Sequence, residues 1–293
     1  MTFHKPTADL FIPDSSNVAT ALSRVTHLAI GAHQDDIEFM AVQGVLECFA
    51  KPERPFGGVT CTNGAGSARI GPYAHVSDAE MCRIRRDEQR TAATIGQYGF
   101  VAQLDFTSSE VKTPGSPALV ADLTSILLAT RPQVIYTHNP ADKHETHLGV
   151  FMATLLAIRN LPKAQRPMKM LGCECWRDLD WMMDNEKVVS DLSSRQNLQA
   201  AINGVFDSQI AGGKRYDLAA MGRRRAHATF LDSHTADKAE LATFNMDLTP
   251  LILDDTLDII EYVLGFIHRF EADVRNKLAA RLPGRTAAGG RAG

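Results

Sequence analysis

The feature that most constrains the fold of this chain is a repeated order of short apolar run, loop and amphipathic helical pattern, recurring from residue 25 to about residue 159. Nearly continuous apolar runs suit strands buried on both faces, and their alternation with helical patterns is the signature of a parallel sheet covered by helices. The first run is VTHLAIGAH (25–33) and the second is GGVTCTNG (57–64), with a helix between them from about Ile37 to Phe49. Ser77 followed by Glu80 makes a capping-box pair, so a helix is expected to start there. VAQLDF (101–106) follows as a strand, Pro117 to Thr130 as a helix, RPQVIYTH (131–138) as a strand and His144 to Arg159 as a helix.

From Met168 the pattern loosens to a strand through MKMLGCECW, another at KVVSDL and a helix from about Ser194 to Ser208. Thr249 and Pro250 read as cap and first turn of a C-terminal helix in which Leu253, Leu257, Ile260, Leu264 and Ile267 recur at spacings of three and four. That stripe is expected to bury against its own domain or a neighbouring subunit. The fold class is therefore α/β: a Rossmann-like, mostly parallel sheet with helices on both faces, in a single domain with a less regular C-terminal part. Residues 25–281 form that domain, residues 1–24 an N-terminal extension, and residues 282–293 a tail expected to be disordered.

Composition narrows the partners. With 293 residues, 44% hydrophobic and 22% charged, the chain can bury a sizeable core. A net charge of -3 argues against nucleic acid or an anionic membrane and leaves a small polar ligand. The N-terminus has no signal-peptide pattern and no run approaches the ~20 apolar residues of a membrane span, so the expected location is cytoplasmic. The five cysteines are scattered, which speaks against a disulfide framework. Strand alternation would place Cys173 and Cys175 on one face. With no second pair to complete a tetrahedral site they read as packing residues.

Two segments concentrate metal-binding residue types, GAHQDDIEF (31–39) and THNPADKHETHLG (137–149), and both follow the C-terminal ends of expected strands. Open α/β sheets keep their sites there. His33, Asp35 and Asp36 crowd one strand-to-helix turn, with Glu38 close behind. Acidic groups beside an imidazole in an apolar context are costly unless a cation or solvent compensates them. His144 and His147 are three apart on an expected helix and project from one face. Hydrolytic zinc sites use three His or carboxylate ligands and keep a position for water, a set that two adjacent loops can supply together. Singly, each element has a bland reading: an incidental His-x-x-His, and an acidic helix N-terminus.

AHQDDIE (32–38) resembles the A-H-P-D-D-x-E signature of the LmbE-like, or PIG-L, family of zinc-dependent N-acetylglucosaminyl deacetylases, and HETH (144–147) resembles that family's H-x-D-H. The resemblance covers the first 160 residues well and the remainder loosely. It implies that His33, Asp36 and His147 hold a single zinc ion, that Asp35 is the general base, and that His144 is the second catalytic group. It also implies a homo-oligomer and an N-acetylated amino-sugar-like substrate. Gln34 replaces the usual Pro, and Thr146 stands where the family commonly has an Asp that orients the catalytic His; Asp142 or Glu145 is the expected substitute.

TNGAGSAR (62–69) resembles the family's glycine-rich substrate loop, making Asn63 and Arg69 substrate-binding candidates, with Ala65 in place of an acidic residue. RIRRDEQRTAA (83–93) resembles a further stretch in which Arg85 and Glu88 read as a structural pair. FDSQI (206–210) offers Ser208 and Gln209 as pocket candidates. The basic segment GKRYDLAAMGRRRAH (213–227) reads either as a receiver of an anionic substrate group or as a solvated helix face.

Three other readings compete. One is an amidase acting on a non-sugar substrate such as a thiol conjugate or antibiotic precursor. A second is a protein that holds zinc only structurally, and a third is a nucleotide-binding α/β protein, for which no glycine-rich phosphate motif follows an expected strand.

Overall fold

The computed structural model describes residues 1–283. In chain order the elements begin with β1 (Asp9–Phe11), α1 (Val18–Ser23), β2 (His27–Gly31), α2 (Asp36–Met40), α3 (Val42–Cys48) and β3 (Phe56–Thr62). They continue with α4 (Asp78–Ile95), β4 (Phe100–Phe106), α5 (Ser108–Lys112), α6 (Pro117–Thr130), β5 (Val134–His138) and α7 (Glu145–Arg159). The C-terminal part holds β6 (Lys169–Cys173), β7 (Lys187–Asp191), α8 (Gln196–Gly204), α9 (Asp207–Ile210), α10 (Tyr216–Phe230), β8 (Ala242–Asp247), α11 (Thr249–Leu253) and α12 (Ile259–Ala279).

The strands make one eight-stranded sheet in the order β1-β4-β3-β2-β5-β6-β8-β7. The central five, β4-β3-β2-β5-β6, run parallel, while β1, β8 and β7 join antiparallel at the edges. Every residue of β3 is buried, as expected for a strand covered on both sides. Two apolar clusters flank the sheet: Leu28, Ile30, Phe151 and Met170 belong to one, Ile37, Phe56, Tyr98 and Tyr136 to the other. From β2 the chain moves to β3 on one side and later to β5 on the other. The strand order thus reverses at the carboxyl ends of β2 and β5, the place where open α/β sheets form their crevice.

Several expectations change in detail. The helix expected over 37–49 is broken at Ala41 (φ -117°, ψ 21°). The buried Arg224 guanidinium of α10 donates to the carbonyls of Glu38 and Phe39, both at 3.0 Å, taking acceptors that a continuous helix would need. The helix expected over 194–208 ends at Gly204, because Ser208 turns its N–H and hydroxyl to Glu88.

The C-terminal helix expected from Thr249 stops at Leu253, and Asp258 caps α12 by accepting from the Glu261 N–H at 2.9 Å. Leu253, Ile260 and Ile267 are consequently exposed, and α12 packs on the domain through Ile259, Tyr262 and Phe266. Residues 1–24 supply β1, paired with β4 at the sheet edge. Of the expected tail, residues 284–293 lie outside the described residues. Among the described residues no helix is long and apolar enough to cross a membrane.

Candidate metal centre and active site

The turn after β2 and the loop after β5 meet over the crevice. Oδ2 of Asp36 is the focal atom: it accepts from the His33 backbone N–H at 2.7 Å and stands 3.2 Å from His33 Nδ1 and 3.5 Å from His147 Nε2. Ligands about 2.0–2.1 Å from a tetrahedral zinc stand roughly 3.4 Å apart, so these separations suit one ion. The ligand atoms of His33, Asp36 and His147 all lie within 4.8 Å of one another.

His147 gives the sharpest indication. Its Nδ1 faces Asp142 Oδ2 at 3.4 Å, while its Nε2 is buried, without a hydrogen-bond partner and aimed at Asp36. A carboxylate behind the outer nitrogen of a ligating imidazole is the usual support of a metal-binding His. The donor set fits a divalent metal.

His138 also stands near Asp36 Oδ2, at 3.4 Å, and can be grouped with Asp142, His147 and Cys175 as an alternative cluster. Its Nε2, however, accepts the Ala32 N–H at 2.9 Å, so that lone pair is already committed. Asp142 is committed as well, accepting from the N–H groups of His144 and Trp176, both at 3.1 Å. The set of His33, Asp36 and His147 is therefore the better cation site.

Electrostatics separate the two neighbouring aspartates. Burial opposes ionisation of Asp36, yet the imidazoles of His147, His138 and His33 hold its carboxyl well below the usual carboxylate range. Burial pushes Asp35 well above that range, against the pull of the Arg85 guanidinium. Asp35 has φ 100°, a left-handed strain for a non-glycine residue, and its carboxylate pairs with Arg85 at 3.1 Å. Burial, followed by the nearby His147 and His33, lowers the His144 imidazole to about 4. Glu38, pushed up to about 7 by burial, is held away from the cavity by Tyr98 and Gln89.

These groups open on a cavity of about 730 Å³ lined by His33, Asp35, Asp36 and His144, with Phe39, Trp176 and Tyr216 as aromatic wall. Residues 28–158 match the family model of PIG-L, the GlcNAc-PI de-N-acetylases. The chain carries a PIG-L domain. In sequence it is 27% identical over 154 residues to the uncharacterized deacetylase YaiS of Escherichia coli, covering 51% of this chain and 77% of that protein. In structure it resembles the N,N'-diacetylchitobiose deacetylase of Pyrococcus horikoshii (TM-score 0.58, 16% identity, 80% of this chain and 88% of that one). It equally resembles GalB, the 4-carboxy-2-hydroxymuconate hydratase of Pseudomonas putida (TM-score 0.57, 16% identity, 77% and 96%). At these identities the structural likeness speaks for the fold alone.

Within the PIG-L domain and its C-terminal partner elements, the remaining candidates are placed unevenly. Gln209 lines the cavity. Ser208 is buried against Glu88, Asn63 accepts from the Ala65 N–H at 3.1 Å, and Arg69 is spent on Val76 O, Ala65 O and Asp78, so none of these three lines the cavity. Arg85 does not pair with Glu88; it serves Asp35, Ser67 and the Gln34 carbonyl. Asp142 supports the His147 ring rather than His144, while Glu145 faces Lys112 at 3.8 Å.

Sequence reading did not single out His138, Trp176 or the Arg85–Asp35 pair. It also took Cys175 for packing. Because β6 ends at Cys173, Cys175 falls beyond the strand and donates its thiol to Asp36 Oδ1 at 3.5 Å.

Proposed function

We propose that this protein is a metal-dependent hydrolase that removes an N-acyl group, acetyl in the favoured form, from an amino-sugar-like substrate, with one zinc ion held by His33, Asp36 and His147. The observation that carries the reading is the buried, unpartnered Nε2 of His147 facing Asp36 beside a carboxyl that is outside the ligand set, Asp35. A divalent cation bound there supplies Lewis-acid polarisation of the acyl carbonyl.

The chain's own groups account for the protons. Asp35 accepts a proton from the attacking water, held in place by Arg85. The proton that Asp35 takes from the water is the one delivered to the departing nitrogen, and His144, across the cavity and neutral in the resting site, relays it or donates its ring N–H to the oxygen of the tetrahedral intermediate. Two adjacent carboxyls driven apart in acidity suit this division into ligand and base.

A second reading, hydrolysis of an amide in a larger non-sugar conjugate, is favoured by the cavity's volume of about 730 Å³ and its aromatic wall, which exceed what an acetyl group requires. Acetate release across N-acetylated sugars and aromatic N-acyl conjugates, with metal content measured in parallel, separates the two. Asp35→Asn should retain metal and lose turnover; full activity in that variant removes Asp35 from the base role. The reading includes a homo-oligomer, supported by the exposed Ile260, Ile267 and Val274, which recur every seven residues along α12. Sedimentation of wild type and Ile267→Asp tests that assembly.

A further inference from the structure

The cavity mouth carries an excess of positive charge that the hydrolytic chemistry does not use. Lys112, Lys214 and Arg223 line the cavity, and Lys143 joins them at the Trp176 ring. Two ammonium groups share that one indole, Lys214 at 5.1 Å and Lys143 at 5.8 Å from its centroid. Arg223 donates to the Cys175 carbonyl at 2.5 Å, immediately before Trp176 in sequence.

Among the described residues, none of Lys143, Lys214 and Arg223 has a carboxylate within 4.0 Å. The acids in the cavity wall are already committed: Asp35 to Arg85, Asp36 to the imidazoles, and Glu174 to His227, Thr243 and two backbone N–H groups. In a chain of net charge -3, a local cluster of uncompensated cations is not a consequence of composition. Like charges gathered at one rim repel one another, and an anion seated between them relieves that cost. The two ammonium groups lie over the indole, which gathers them at one place on the cavity wall.

We propose that the substrate of this site bears a carboxylate or phosphate on the part of the molecule away from its acyl nitrogen, received by Lys143, Lys214 and Arg223 around the face of Trp176. The inference rests on the hydrolase reading for what happens to the acyl group but not for the binding itself. Its test therefore measures binding apart from turnover.

The probes are glucosamine, glucosamine 6-phosphate and muramic acid, titrated calorimetrically into the metal-loaded protein, with the N-acetyl form of each assayed for acetate release. At low ionic strength at least one anionic amine is expected to bind about ten-fold more tightly than glucosamine, and the advantage should shrink as salt screens it. The stronger of the two anions names the group. In the Lys143→Glu, Lys214→Glu double variant, with its circular dichroism checked against wild type, the preference should collapse to within about two-fold.

Equal binding of charged and neutral amines, a preference indifferent to salt, or a preference that survives charge reversal overturns the proposal. The salt titration needs no variant, so a misfolded double variant does not rescue it. Salt-dependent anion preference without acetate release from any probe supports the anion site and sinks the deacetylase reading instead.

Discussion

Oδ2 of Asp142 stands 3.4 Å from Nδ1 of His147, and this contact holds the ring with Nε2 toward Asp36. Asp142 also accepts from the N–H groups of His144 and Trp176, so one carboxylate fixes the His147 ring, the start of α7 and the base of the aromatic wall. Replacing it by Asn leaves one oxygen and offers the ring an unwanted donor. Asp142→Asn is expected to weaken zinc binding about 10–100-fold, measured by chelator competition. Unchanged affinity would mean that the carboxylate does not orient His147.

Arg85 is buried, and its guanidinium joins the Asp35 carboxylate, the Ser67 hydroxyl and the Gln34 carbonyl. Arg85→Met removes the guanidinium paired with a buried carboxyl. The cost should lie at the lower end of the 3–5 kcal/mol typical of a broken buried pair, about 3 kcal/mol, because burial already favours the protonated form of Asp35. Urea unfolding at neutral pH measures it, and a loss under about 1 kcal/mol would show that the pair is not structural.

Glu110 anchors the N-terminal segment. It receives Lys5 at 2.6 Å together with the N–H and hydroxyl of Thr107, and Lys5 first, then Thr107, lowers its carboxyl from 4.5 to about 2. A depressed folded-state value means that this contribution is complete above pH 4.5 and is lost as the pH falls toward about 2. The group is partly exposed, so the effect is under about 1 kcal/mol. The stability difference between wild type and Glu110→Gln should shrink through that window; a difference that grows on acidification contradicts the assignment.

The parallel core was legible in the sequence because apolar periodicity and local capping determine it, and the two His- and Asp-rich loops because they follow its strand ends and resemble a family signature. Pro117 to Thr130 emerges with its expected limits, Pro117 opening the helix. What escaped was set at long range or by competing local bonds. The break at Ala41 depends on Arg224, 183 positions away, whose guanidinium takes helix acceptors that no local pattern reveals. The stop at Leu253 was within reach: Asp254 accepts from the Thr256 N–H and hydroxyl, a turn that competes with the helix, and Asp258 restarts it.

At the site, the two His and the Asp expected as ligands come together, whereas Arg69 had an equally chemical look in sequence and is consumed by its own loop. Nothing local distinguishes an arginine that waits for substrate from one that holds a turn.

The proposed cation is assigned to His33, Asp36 and His147 and not to the cluster containing His138. Zinc stoichiometry and affinity of His147→Ala and His138→Gln, compared with wild type, test this most directly. His147→Ala should lose stoichiometric zinc and His138→Gln should keep one ion per chain; zinc retained without His147, or lost without His138, would contradict that assignment.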